Sequence, residues 1–203
     1  AAYGEIHYNT HITGCYFEGG YSGTTGAYTN KDSQGIVLWD KVTDEKSVLS
    51  VKNSNFKGMG GCVTHDAYSI LSVKVGEIST RYKSIDIQGC NFLSTKMVCN
   101  LLAHNSVTAN VPASADYGFS AINYSNNVIS ECLINDNTSL ITLNASAIKF
   151  NNNVLNDIEF DLNEVADANV INFYEFETLS CSGNEFTSFT HHKESQGAFG
   201  LVD

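Results

Sequence analysis

Six eight-residue segments in this chain share one column pattern, and that pattern constrains the fold more than any other feature. They run Thr10 to Phe17, Leu49 to Phe56, Ile85 to Phe92, Ile122 to Ile129, Ile148 to Leu155 and Leu179 to Phe186. The first column reads Thr10, Leu49, Ile85, Ile122, Ile148, Leu179, and the third reads Ile12, Val51, Ile87, Tyr124, Phe150, Cys181. Polar residues such as Ser50, Asp86, Asn123 and Lys149 stand between them. This alternation predicts a strand with one face inward. The fifth column is Gly14, Asn53, Gly89, Asn126, Asn152, Gly183, residues that tolerate positive φ, so the chain is expected to turn there. The sixth is Cys15, Ser54, Cys90, Asn127, Asn153, Asn184, and the eighth is apolar throughout: Phe17, Phe56, Phe92, Ile129, Leu155, Phe186.

Successive eighth positions lie 39, 36, 37, 26 and 31 residues apart (17 to 56, 56 to 92, 92 to 129, 129 to 155, 155 to 186). A fixed signature on a variable period predicts a coil with one invariant corner and connections of variable length. A helical repeat would hold its period and show a 3.6-residue pattern. Further strand-like runs, Gly35 to Trp39, Leu71 to Val75, Met97 to Leu102, Ser139 to Leu143, Val170 to Phe176 and Ala198 to Val202, supply the remaining strands. Each coil buries its inner face only against its neighbours, which makes a solenoid. An antiparallel β-sandwich also has many short strands but needs no recurring column.

The pattern resembles the pectin-lyase-like right-handed parallel β-helix superfamily over residues 10 to 186, and the runs Asn126-Asn127 and Asn152-Asn153, with Asn184, resemble its asparagine ladder. The resemblance implies an all-β, right-handed parallel β-helix of about six rungs, one domain over residues 1–203. No amphipathic helix precedes Thr10 and little follows Phe186. The expectation is therefore an uncapped fragment, or a chain whose rung ends are covered by a trimer or by a longer parent chain.

The chemistry is sparser. Family hydrolases carry paired carboxylates on adjacent rungs, in motifs such as Asp-Asp, Gly-His-Gly and Arg-x-Lys. This sequence has neither of the first two; Arg81-Tyr82-Lys83 has the letters of the third without its context. Family lyases use Arg or Lys as base, often with Ca²⁺, and Arg81 is the sole arginine. His65-Asp66 forms a possible dyad, against the commoner reading of a solvent-facing polar pair. Cys62-Val63-Thr64-His65 and His191-His192 each offer half a zinc set without a second half, so no metal is expected unless Ca²⁺ serves a lyase. The insertion over residues 18–48 holds Tyr21, Tyr28, Trp39, Asp40 and Asp44. Its aromatics would stack on a sugar while its carboxylates accept from hydroxyls, although Trp39 in Ile36-Val37-Leu38-Trp39 equally suits a strand core.

A net charge of −11 disfavours nucleic acid and anionic membranes as partners, and no apolar run is long enough to span a bilayer. Charged residues are only 16% and proline occurs once, so disorder is not expected. Several of the six cysteines fall on repeat columns, which predicts free buried thiols and leans towards folding in a reducing compartment.

Around Phe17 and Phe56, CYFEGGYSGTTGAY and NSNFKGMGGCV resemble the F-x-x-N and G-G-A repeats of polymorphic outer-membrane autotransporter passengers. The asparagine is missing, and Cys62 replaces the alanine. Reduced core cysteines and covered ends would also suit a phage tailspike. These resemblances imply a surface-exposed domain, extracellular or on a cell or virion surface, that meets a polysaccharide or cell-surface receptor without evident catalysis. The alternative is a lyase or glycoside hydrolase acting on acidic polysaccharide.

Overall fold

The computed structural model describes residues 9–20, 34–38, 47–65, 82–101, 119–134, 139–160, 168–174, 176–191 and 199–202. Among these there is no helix, and every strand pairing is parallel. The architecture is all-β and solenoid-like; the antiparallel sandwich does not hold.

The strands form three ladders. The first contains β1 (Thr10–Thr13), β4 (Ser47–Lys52), β7 (Tyr82–Gln88), β10 (Phe119–Ser125), the later part of β12 (Ile141–Asn151) and β15 (Thr178–Ser182). The second contains β2 (Tyr16–Glu18), β5 (Asn55–Lys57), β8 (Asn91–Leu93), β11 (Val128–Ile134), β13 (Val154–Phe160) and β16 (Glu185–His191). The third contains β3 (Gln34–Leu38), β6 (Gly61–His65), β9 (Cys99–Leu101), the opening of β12, β14 (Ala168–Tyr174) and β17 (Phe199–Val202). Because β12 runs from the third ladder into the first, those two merge into one 11-stranded sheet beside the 6-stranded second ladder.

The predicted columns are the observed registers. Leu49 pairs Thr10 and Ile85, and Ile148 pairs Ile122 and Leu179. Phe56 pairs Phe17 and Phe92, while Leu155 pairs Ile129 and Phe186. All six fifth-column residues have positive φ, between 48° at Asn53 and 66° at Gly14. At Gly89 a Cβ would lie 2.6 Å from Asn53 Oδ1, so a side chain there would have to displace the Asn53 amide as well as adopt positive φ.

The sixth column is a hydrogen-bonded ladder. Asn153 Oδ1 accepts from Asn127 N at 3.0 Å, and Asn184 Oδ1 accepts from Asn153 N at 2.9 Å. The amide nitrogens donate back to third-column carbonyls: Asn127 Nδ2 to Ile87 O, Asn153 Nδ2 to Tyr124 O and Asn184 Nδ2 to Phe150 O. Further up, Ser54 Oγ accepts from Cys15 N, and Cys90 N donates to Asn127 Oδ1. The corner amides of Cys15, Cys90, Asn127 and Asn153 therefore each find a side-chain acceptor one repeat away, as burial of a backbone donor demands.

Inside, a stack of aromatic rings changes column. Phe17, Phe56 and Phe92 stack in the eighth column with centroids 4.7 and 5.0 Å apart. The stack then crosses to Tyr124, 6.2 Å from Phe92, and on to Phe150 at 5.3 Å, both in the third column. Where the third column is Val51 or Ile87, the eighth is Phe; where the third is Tyr124 or Phe150, the eighth is Ile129 or Leu155. The exchange keeps the core volume of successive repeats similar, as close packing requires.

A second corner was not expected. Gly58, Ser94, Glu131, Asp157 and Ser188 each stand two residues after the eighth column, and all have positive φ, 52° to 60°. The register stays constant across them, with Ser130 pairing Asn156 and Cys132 pairing Ile158. The turn sends the next residue inward, so that Met59, Thr95, Cys132 and Ile158 are buried.

The expected third-ladder strands hold with shifted bounds, the Ser139 to Leu143 run becoming the opening of a strand that continues to Asn151. Leu71 to Val75 lies outside the described residues. All six cysteines are free, and Cys62, Cys90, Cys99 and Cys132 are buried as expected. Cys15 is only half-buried, and Cys181 is exposed, because no described strand stacks on the far side of β15.

Candidate functional site

The connections single out one face. Two residues join the first ladder to the second at every repeat: 14–15, 53–54, 89–90, 126–127, 152–153 and 183–184. The segments that enter and leave the third ladder vary widely, from the continuous β12 to residues 66–81 and 102–118. In a repeat fold, variable segments gather where a binding surface is displayed.

On the third ladder, Thr64, Asn100, Thr142 and Asn172 share one register column. Asn100, Thr142 and Asn172 each stand between buried neighbours: Cys99 and Leu101, Ile141 and Leu143, Ile171 and Phe173. Strand alternation therefore sends them outward, yet all three are half-buried. Asn172 Oδ1 is enclosed without a hydrogen-bond partner. Two residues along the strands, Asn144 is buried and its Nδ2 donates to Tyr174 O at 3.3 Å. The column carries amides and a hydroxyl and no formal charge. That set exchanges hydrogen bonds with neutral hydroxyls. An enclosed acceptor with no donor costs about 1–3 kcal/mol. This column was not singled out from sequence, although each member is a polar residue between two apolar ones in a strand-like run.

A second feature lies on the second ladder. Glu131 and Asp157 occupy the second corner of adjacent repeats, both exposed. Ser94 Oγ donates to Glu131 Oε2 at 3.4 Å, and Asn156 Nδ2 donates to Asp157 Oδ2 at 2.7 Å. Two carboxylates in neighbouring repeats thus exist, although no Asp-Asp dipeptide announces them.

Of the residues expected to act, His65 closes β6 with its backbone paired to Leu38. Arg81, Asp66, Trp39, Tyr21, Tyr28, Asp40 and Asp44 lie outside the described residues, as does His192. Cys62, half of the C-x-x-H spacing, is a fully buried core residue. Among the described residues no cluster of His, Cys, Asp or Glu has a geometry that could hold a metal ion.

The buried thiols are inert. Burial pushes the Cys62 thiol well up, reinforced by Cys132 and Cys99, and raises Cys90 and Cys99. Cys132 is pushed up to about 11, also by burial. Protonated sulfur is a poor nucleophile and ligand, so these four serve as core filling. Tyr124 Oη is enclosed among them without a partner.

No helix among the described residues is long and apolar enough to cross a membrane. No family model, curated protein or solved structure matches the chain.

Proposed function

We propose that the chain is a right-handed parallel β-helix of about six rungs that presents the outward face of its third ladder to a glycan at a cell or virion surface, without catalysis. Right-handedness follows the strong preference of crossover connections between parallel strands. The observation that carries the functional reading is the outward, uncharged column Asn100, Thr142, Asn172 on the third ladder, whose connections vary in length while the first corner keeps two residues at every repeat. A neutral glycan suits this surface better than an acidic one, because a net charge of −11 repels polyanions.

The test is a glycan array followed by calorimetry on any hit. Asn172→Ala is expected to weaken a hit about tenfold, the equivalent of one lost hydrogen bond, while leaving thermal stability equal or higher. Binding unaffected by Asn172→Ala and Thr142→Ala would move the surface elsewhere.

Glu131 and Asp157 favour a second reading, a glycoside hydrolase with carboxylates on adjacent rungs. New reducing ends from a polysaccharide panel, abolished by Glu131→Gln or Asp157→Asn, would establish it in place of the first. Unsaturated product abolished by Arg81→Ala would establish a lyase.

A further inference from the structure

The outward column of the third ladder has a period of its own. Thr64, Asn100, Thr142 and Asn172 follow one another in register on β6, β9, β12 and β14. Along the solenoid axis the residue type therefore alternates, hydroxyl then amide, twice over, and none carries a charge. The outward columns of the first ladder do neither. Ser50, Asp86, Asn123 and Lys149 share one of them, and Lys52, Gln88, Ser125 and Asn151 the next. The step along the axis is the spacing of parallel strands, about 4.8 Å. The rings of Phe17, Phe56 and Phe92 repeat on the same step, at 4.7 and 5.0 Å.

We infer that this column binds a neutral β-1,4-linked glycan lying along the solenoid axis, one sugar to each repeat. An extended chain of β-1,4-linked pyranoses advances by nearly one strand step per sugar. It also turns each sugar over relative to the last, so a given edge of the ring recurs at every second sugar. A row of groups matched to such a chain has a period of two repeats, as Thr64, Asn100, Thr142 and Asn172 do. An α-1,4-linked chain coils and a β-1,3-linked chain curves, so neither keeps successive sugars over successive strands. Amide and hydroxyl groups both exchange hydrogen bonds with neutral hydroxyls. The net charge of −11 turns away polyanionic chains of the same linkage. What remains is the class of β-1,4-glucan, β-1,4-mannan and chitin. The inference rests on the proposed glycan-binding face and adds to it the linkage and the direction of the chain.

The experiment is calorimetric titration with β-1,4-linked gluco-, manno- and N-acetylgluco-oligosaccharides of two to six sugars, beside α-1,4- and β-1,3-linked gluco-oligosaccharides of the same lengths. Affinity for a β-1,4 series is expected to rise about threefold to tenfold per added sugar, the weight of one hydrogen bond per repeat, and to level off at four sugars. The other two linkages are expected to gain nothing beyond the disaccharide. The double variant Asn100→Thr/Thr142→Asn keeps the composition of the column and breaks its alternation. It is expected to lose the gain with length, with a urea midpoint close to that of the parent chain showing that it folds. If it fails to fold, the linkage comparison on the parent chain decides alone. A double variant that keeps the full gain refutes the linkage and the one-sugar register and leaves the glycan face standing. So does an α-1,4 or β-1,3 series that gains as much and is weakened by Thr142→Ala. No binding by any series, or binding indifferent to Thr142→Ala and Asn172→Ala, refutes the face and the inference together.

Discussion

At the residue scale, the sixth column and Tyr124 make opposite predictions about deleting a buried polar group. Asn153 accepts from Asn127 N and Asn127 Nδ2 and donates to Tyr124 O and Asn184 Oδ1. Asn153→Ala leaves a buried backbone donor and a carbonyl unmet, so a loss of about 2–4 kcal/mol is expected in urea unfolding. Tyr124 Oη has no partner to lose. Tyr124→Phe removes an unpaid desolvation, and the same titration is expected to show equal or higher stability, by up to about 1–2 kcal/mol. A marked loss on Tyr124→Phe would mean that the hydroxyl is satisfied in solution. The thiols set the alkaline limit. An unfolded thiol ionises near its ordinary value, whereas Cys132 keeps its proton until about 11, and Cys62 and Cys99 are raised as well. Above pH about 9 the unfolded state therefore binds fewer protons than the folded state. Stability is fully present below that value and falls by up to about 1.4 kcal/mol per pH unit per thiol as pH rises towards 11. Urea midpoints across that range check it, and a flat profile would show the thiols to be hydrated.

At the scale of the strand and its corner, what could be read from sequence divides by residue chemistry. The first corner was legible because Gly and Asn occupy it at every repeat and apolar columns bracket it. The second corner was not, because only Gly58 and Asp157 there are of types that visit positive φ, while Ser94, Glu131 and Ser188 are not. The trace it leaves is a break of period two. Phe92-Leu93-Ser94-Thr95, Ile129-Ser130-Glu131-Cys132 and Leu155-Asn156-Asp157-Ile158 set two residues between inward positions where a regular strand sets one. The polar column of the third ladder was equally readable as a polar residue between apolar ones. Its enclosure depends on neighbouring elements and leaves no mark in the sequence. The strain at the second corner is testable: Glu131→Gly is expected to stabilise by about 0.5–1 kcal/mol, since glycine adopts that φ without a Cβ clash. Within the aromatic stack, Phe92→Ala is expected to cost about 3–5 kcal/mol. Phe17→Ala should cost well under half of that, because Phe17 is only partly buried.

At the scale of the whole molecule, each repeat touches mainly its sequence neighbours, so stability is distributed along one dimension. Amides of β7, β10 and β12, with strands on both sides, are expected to exchange most slowly, and those of β15 and β16 fastest among the ladders. Uniform protection from end to end would indicate that the outer repeats are covered in solution.

The two-residue corner between the first and second ladders also sets a reading frame for the whole spine. One residue added at Asn126-Asn127 would rotate Val128 and the rest of its strand out of phase, sending Ile129 to solvent and Glu131 to the core. Residues added beside the third ladder change nothing downstream, because the next corner starts the count afresh. Such a chain is a natural recipient for transplanted segments: whole recognition loops can be exchanged at one border while the frame that carries them stays in step.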